Sequence, residues 1–126
     1  MTRLVLDAGA LIAFDKGDRM LRARPVAARN ASFELTTTSP VIAQVWRGHR
    51  RQLLLARLLE AVRVDAPDET RARRAGELLA RTGTADVVDA LVVGLARDGD
   101  TIVTSDPDDL ELLVEAAKVD VRIVTV

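Results

Sequence analysis

Five short runs of β-branched and aliphatic residues, each separated from the next by a longer helix-patterned stretch, constrain this 126-residue chain more than any other feature. The runs are Arg3–Asp7, Leu35–Thr38, Val62–Val64, Thr101–Thr104 and Val121–Val126. The stretches between them are Ala8–Phe14, an Arg- and Ala-rich segment over 19–30, Ser39 to about Arg47, His49–Ala61, Pro67–Arg81, Val87–Ala96 and Pro107–Ala117. Strands joined through helices run parallel, because a crossover returns the chain to the same edge. A parallel sheet must be covered on both faces. The pattern therefore predicts one α/β domain over residues 1–126, with three layers and a central parallel sheet.

Local signals fix several boundaries. Ser39 followed by Pro40 reads as an N-cap with proline at the first helical position. Gly83 reads as the residue that closes the Pro67–Arg81 helix. Leu53, Leu54, Leu58 and Leu59 mark the expected inner side of His49–Ala61. Val87–Ala96 is apolar almost all the way round, which predicts a buried central helix. Met20, Leu21, Ala23, Ala27 and Ala28 alternate with four arginines in 19–30, a pattern that packs on a sheet or meets a partner helix.

Composition removes several function classes. With no cysteine there is no disulfide framework, thiolate zinc site or thiol nucleophile. No apolar run approaches the roughly 20 residues of a membrane span, so no membrane association is expected. Met1–Arg3 leads straight into the first strand without a signal-peptide arrangement, and a cytoplasmic location is the expectation. The net charge of −1 conceals an asymmetry. Residues 1–85 carry 15 Lys/Arg against 9 Asp/Glu, and residues 86–126 carry 3 against 10. The split fits an acidic metal site beside a basic surface, or two solvated faces.

In parallel sheets the functional crevice lies beyond the carboxyl ends of the strands, where strand order reverses. Asp7 stands there after the first strand, and Asp106 after the fourth. Each has an alternative role as a helix cap: Asp7 for the helix at Ala8, and Asp106 with Pro107 and Asp109 for the next. Asp89 sits among Val87, Val88, Ala90, Leu91, Val92 and Val93, where a carboxylate is costly unless paired or bound to a cation. Asp86, three residues earlier, either shares its face or caps that helix. Carboxylates drawn together from three distant segments repel one another unless a cation neutralises them. Oxygen ligation without Cys or spaced His points to Mg²⁺ or Mn²⁺, and such ions serve phosphodiester cleavage.

Three segments resemble the motifs of PIN domains, in order. Leu4-Val5-Leu6-Asp7-Ala8-Gly9-Ala10-Leu11-Ile12-Ala13 is similar to the opening motif. Asp89-Ala90-Leu91-Val92-Val93-Gly94-Leu95-Ala96 is similar to the central acidic helix. Val103-Thr104-Ser105-Asp106-Pro107-Asp108-Asp109-Leu110 is similar to the closing strand-and-acid motif. Length and spacing resemble the VapC-type toxins of toxin–antitoxin pairs over essentially the whole chain.

The resemblance implies a sheet ordered 3-2-1-4-5 and a metal-dependent endonuclease acting on tRNA, rRNA or mRNA. It also implies homodimerisation and silencing by a VapB-type antitoxin, with 19–30 as a contact region. By that likeness Asp7 and Asp89 are primary metal ligands, Asp106 completes the acidic pocket, and the Thr104 hydroxyl orients water or phosphate. Asp86 joins the catalytic acids if it points inward.

One position departs from the family pattern. Gln44 stands where PIN domains usually carry glutamate. Its carbonyl can coordinate a hard cation but brings no charge and cannot act as a base. The expectation is that Gln44 positions a water and that metal affinity is moderate; the rival is a PIN-like module that binds RNA or antitoxin with weak or no catalysis. Arg47, Arg50 and Arg51 form either an RNA phosphate patch or a solvated helix face. His49, the lone histidine, has no partner for metal or acid–base work, and Trp46 reads as a packing residue. A receiver-like domain is disfavoured because the only late lysine, Lys118, falls on a helix-patterned stretch.

Overall fold

The fold is that of a computed structural model, which describes residues 3–16 and 33–126. The helix expected over 19–30, with its partner-contact role, lies outside the described residues. The strands are β1 (Arg3–Leu6), β2 (Glu34–Thr38), β3 (Arg63–Asp65), β4 (Thr101–Thr104) and β5 (Arg122–Thr125). All pair parallel in the order β3-β2-β1-β4-β5, as expected. β1 is buried along its whole length, as a central parallel strand must be. β2 is threonine-rich yet buried, because two of its hydroxyls find neighbouring carbonyls. Thr36 Oγ1 donates to the Arg63 carbonyl at 3.0 Å, and Thr37 Oγ1 to that of Leu6 at 2.6 Å.

The helices are α1 (Ala8–Asp15), α2 (Ser39–Val45), α3 (Leu53–Glu60), α4 (Glu69–Thr82), α5 (Val87–Leu95) and α6 (Pro107–Ala117). α1 packs on α2 and α3, while α4, α5 and α6 pack together. Right-handed crossovers account for the two groups. The chain steps from β1 to β2 to β3 in one direction, then returns and steps from β4 to β5 in the other, which reverses the face that its connections cover. The reversal falls between β1 and β4.

Several local expectations need correction. Thr38, not Ser39, is the N-cap of α2, which puts Pro40 at the second helical position. Proline is tolerated there because first-turn amides have no intrahelical acceptor. His49–Ala61 is not one helix: Arg50–Gln52 form a 3-10 turn before α3. The buried Gln52 side chain ties that turn down, accepting from the Arg47 and Gly48 amides at 2.7 and 3.1 Å and donating to the Val45 carbonyl at 2.7 Å. Starting the helix at Leu53 changes its phase, so Leu55 and Leu58 are buried while Leu53 is 57% exposed. α4 starts at Glu69, capped by Asp68, which accepts from the Arg71 amide at 2.9 Å. Gly83 ends it at φ 68, the left-handed conformation that glycine adopts readily. α5 is not buried all round, since Val87 in its first turn is 55% exposed. Lys118 lies just past α6, in the left-handed region at its C-cap.

At the amino end of the sheet Arg3 and Asp100 form a buried pair, Nη2 to Oδ2 at 2.8 Å. Arg3 Nη2 also donates to the Leu95 carbonyl at 2.8 Å, and the Arg97 amide donates to Asp100 Oδ2 at 2.8 Å. Buried charges persist only when satisfied in this way. The bonds join β1, the end of α5 and the entry to β4. Among the described residues no helix is long and apolar enough to cross a membrane.

Candidate active site at the carboxyl ends of the strands

The end of β1 delivers Asp7 to the point where strand order reverses. Asp7 is 7% exposed and caps α1, its Oδ1 accepting from the Ala10 amide at 2.9 Å. The cap role is observed, and the bond that starts the helix also immobilises the carboxylate. Burial pushes the Asp7 carboxyl above its ordinary range, and the nearby Asp106 charge adds to this. Hydrogen bonds from the Thr104 side chain and the Ala10 and Gly9 amides oppose the rise.

Asp89 arrives from the first turn of α5. Its carboxyl is half-buried and is pushed up from 3.8 to about 6, by burial first and then by the charges of Asp86, Asp7, Asp109 and Asp106. Asp86 is exposed and caps α5, Oδ1 accepting from the Asp89 amide at 3.0 Å. That is the cap role, performed beside the cluster rather than away from it.

Asp106 occupies the N-cap position of α6 but makes no side-chain cap bond. Its amide donates to Thr104 Oγ1 at 2.9 Å, so one hydroxyl orders both Asp7 and the Asp106 turn. The Asp106 carboxylate is left to face Asp109. Their shared hydrogen bond, with the Asp106 charge, raises the Asp109 carboxyl.

Asp109 is the member that sequence reasoning assigned only to capping. Its signal was the three-residue spacing from Asp106 across a helix start, which brings both onto one side of the first turn. A cavity of about 180 Å³ next to these acids is lined by Asp86, Asp89, Asp108 and Asp109 with Thr84 and Leu113. Larger clefts of about 500 and 650 Å³ lie toward the amino ends of β4 and β5. Size is a poor guide here, because the carboxylates converge at the other end.

A close approach holds the site together. A Cβ built on Gly9 would clash with Ser105 Oγ and stand 3.0 Å from the Ser105 amide nitrogen. The first turn of α1 therefore abuts the β4–α6 loop, and only glycine lets Asp7 and Asp106 come this close.

The remaining candidates are exposed and do not line the small acidic cavity. Gln44 is exposed on α2, outside the acidic cavity, and makes no hydrogen bond to the acids among the described residues. The Arg47 guanidinium caps the end of α2, donating to the carbonyls of Ala43 at 3.2 Å and Trp46 at 2.7 Å. Arg50 and Arg51 are exposed on the 3-10 turn, His49 is exposed beside them, and Trp46 is 41% exposed.

Among the described residues no three Asp, Glu or His side chains stand close enough together to hold an ion. The donor chemistry nevertheless fits a hard divalent cation. The charges of four acids, Asp86, Asp7, Asp109 and Asp106, raise the Asp89 carboxyl. Acids that raise one another's carboxyls in this way favour a positive charge beside them.

Comparison with known proteins agrees with the fold. A chain of the VapBC2 complex from Rickettsia felis, solved with a promoter DNA fragment, superposes with a TM-score of 0.70 at 12% identity, covering 98% of this chain and 99% of that one. A chain of DNA-bound VapBC from Salmonella typhimurium gives 0.70 at 19% identity, covering 98% of each. A chain of VapBC-1 from nontypeable Haemophilus influenzae gives 0.62 at 14%, covering 97% and 98%. No curated protein sequence matches significantly. The family model of the PIN domain matches residues 4–115, from the middle of β1 to near the end of α6, and the chain belongs to the PIN domain family.

Proposed function

We propose that this protein is a divalent-metal-dependent RNA endonuclease, the toxin of a pair held silent by a VapB-type antitoxin. The observation that carries the reading is that Asp7, Asp89, Asp106 and Asp109, from three distant segments, lie near enough at the carboxyl end of the sheet for their charges to raise one another's carboxyls. Asp7 and Asp89 would hold Mg²⁺ or Mn²⁺, with Asp106 completing the pocket. The ion would supply charge neutralisation and Lewis acidity for hydrolysis of an RNA phosphodiester. Asp7 contributes a carboxylate already oriented by Ala10 and Thr104. Thr104 sets the turn that presents Asp106, and Asp86 fixes the start of α5 and thereby the place of Asp89. The neighbouring structures are VapBC complexes, which supports an antitoxin partner; a homodimer belongs to the same reading.

The test is Mn²⁺ titration calorimetry on wild type, Asp7→Asn and Asp89→Asn, followed by cleavage of tRNA, rRNA and mRNA under the same ion. Binding and cleavage should both be lost in the two variants. An Asp7→Asn protein that cleaves at the wild-type rate would sink the assignment. Exposed, neutral Gln44 favours a second reading, a module that binds RNA or antitoxin without cutting. Intact antitoxin binding with no cleavage under any divalent ion would select it.

A further inference from the structure

The hydroxyl of Thr38 is a buried polar group at the carboxyl end of the sheet that takes no part in the contacts of the acidic cluster. Thr38 is 1% exposed, and among the described residues its Oγ1 has no hydrogen-bond partner. A buried polar atom in that condition is unusual enough to require a reason. Its local cause is visible in the sequence. Thr38 is the N-cap of α2, a position whose hydroxyl ordinarily accepts from the amide two or three residues on. Pro40 removes the first of those donors, and the cap bond is not made to the second.

Sheet register then says what the hydroxyl faces. Val5 pairs with Thr36, so two residues further along Thr38 comes level with Asp7. Leu6 pairs with Val103, and the Asp7 amide donates to the Val103 carbonyl at 3.2 Å, which carries the ladder on and sets Asp7 level with Thr104. Asp7 and Thr38 both keep extended backbone, so side-chain alternation continues through them. Thr38, Asp7 and Thr104 therefore form one row on one face of three adjacent strands. α5, the helix that carries Asp89, packs on β2 and β1, and the charges of Asp7 and Asp89 act on each other across that contact. Thr104 serves Asp7 and Asp106 from one flank. Thr38 holds the matching place on the other flank, with its bonding capacity unspent.

We propose that Thr38 is a positioning residue of the acidic site, its hydroxyl reserved for a hydrogen bond to the water shell of a divalent cation held by Asp7 and Asp89. The inference rests on the metal-site reading above. Two opposite effects of one substitution follow from it. Thr38→Val keeps shape and volume while deleting an unsatisfied buried hydroxyl, so the metal-free protein should melt higher. The same change should weaken Mn²⁺ binding.

The experiment measures Mn²⁺ affinity by calorimetry, and metal-free melting temperature, for wild type, Thr38→Val, Thr38→Ser and Asp7→Asn. Thr38→Val should raise the Mn²⁺ Kd by roughly three- to tenfold, the effect of one hydrogen bond, and Thr38→Ser should restore it. A Thr38→Val protein with wild-type affinity, while Asp7→Asn has lost binding, overturns the role of Thr38 and leaves the metal site standing. A Thr38→Val protein that melts lower without metal shows the hydroxyl bonded within the protein, and it too overturns the role of Thr38 alone. Asp7→Asn binding like wild type, or a wild type that binds no Mn²⁺, overturns both.

Discussion

Replacing Asp89 by asparagine should make the metal-free protein more stable near neutral pH, by an amount that follows from the site. The Asp89 carboxyl rises from 3.8 to about 6 on folding. At about 1.36 kcal/mol per pH unit, that places the ionised form ~3 kcal/mol above where an unperturbed carboxylate would lie. The group is half-exposed, and solvent screening brings the recoverable part down to ~1.5 kcal/mol. A negative charge in the first turn of α5 favours the helix dipole by ~0.5 kcal/mol, which the asparagine forfeits. About 1 kcal/mol of net stabilisation remains, or ~4 °C in melting temperature for a domain of this size.

The pH dependence carries the sign. Between 3.8 and about 6 the folded state binds more protons at Asp89 than the unfolded state does, so this group's contribution to stability falls as pH rises through that window. The asparagine gain should be full at pH 7.5, shrink below pH 6 and vanish near pH 4. Thermal unfolding in EDTA across that range measures it, and Mn²⁺ should reverse the order by stabilising wild type alone. A variant less stable than wild type at pH 7.5, or a gain of constant size across the range, would refute the idea that burial and uncompensated repulsion raise Asp89.

Gly9→Ala forces a methyl into the space of Ser105 and should cost ~1–3 kcal/mol in urea unfolding, with Ser105→Gly recovering only part because the Ser105 backbone is also close. Asp100→Ala strands the buried Arg3 guanidinium and should cost ~3–5 kcal/mol, yet leave the Mn²⁺ affinity of the folded protein unchanged; altered affinity would mean that the two ends of the sheet communicate. Gln44→Glu should tighten Mn²⁺ binding if residue 44 reaches the site, and unchanged affinity in calorimetry would place it outside. Arg50→Ala with Arg51→Ala should flatten the salt dependence of RNA affinity, each phosphate contact being worth roughly one unit of log–log slope; an unchanged slope would make them a solvated face.

Much of the architecture was legible without coordinates, for identifiable reasons. β1 and β4 are read from their aliphatic runs, because a strand buried on both faces admits little else. Thr101–Thr104 and Pro107–Ala117 match the observed boundaries, since Pro107 and the apolar spacing mark the start and face of α6. Asp7, Asp89 and Asp106 stood out as acids at strand ends or amid apolar residues. The break within His49–Ala61 depends on a buried glutamine bonding to the backbone, which no periodicity encodes.

The sequence by itself determined that the chain alternates strands with helices, carries oxygen donors but no cysteine thiolates, and places an acid directly after β1. These are local properties, written in side-chain chemistry and spacing. Only the tertiary structure decided that Asp109 belongs with the acidic cluster, that Gly9 must be small because Ser105 is there, and that the Thr38 hydroxyl is buried level with Asp7 without a partner among the described residues. Each of those depends on the register between strands or the approach of segments distant in the chain. Packing of the whole core sets such distances, and no local pattern records them.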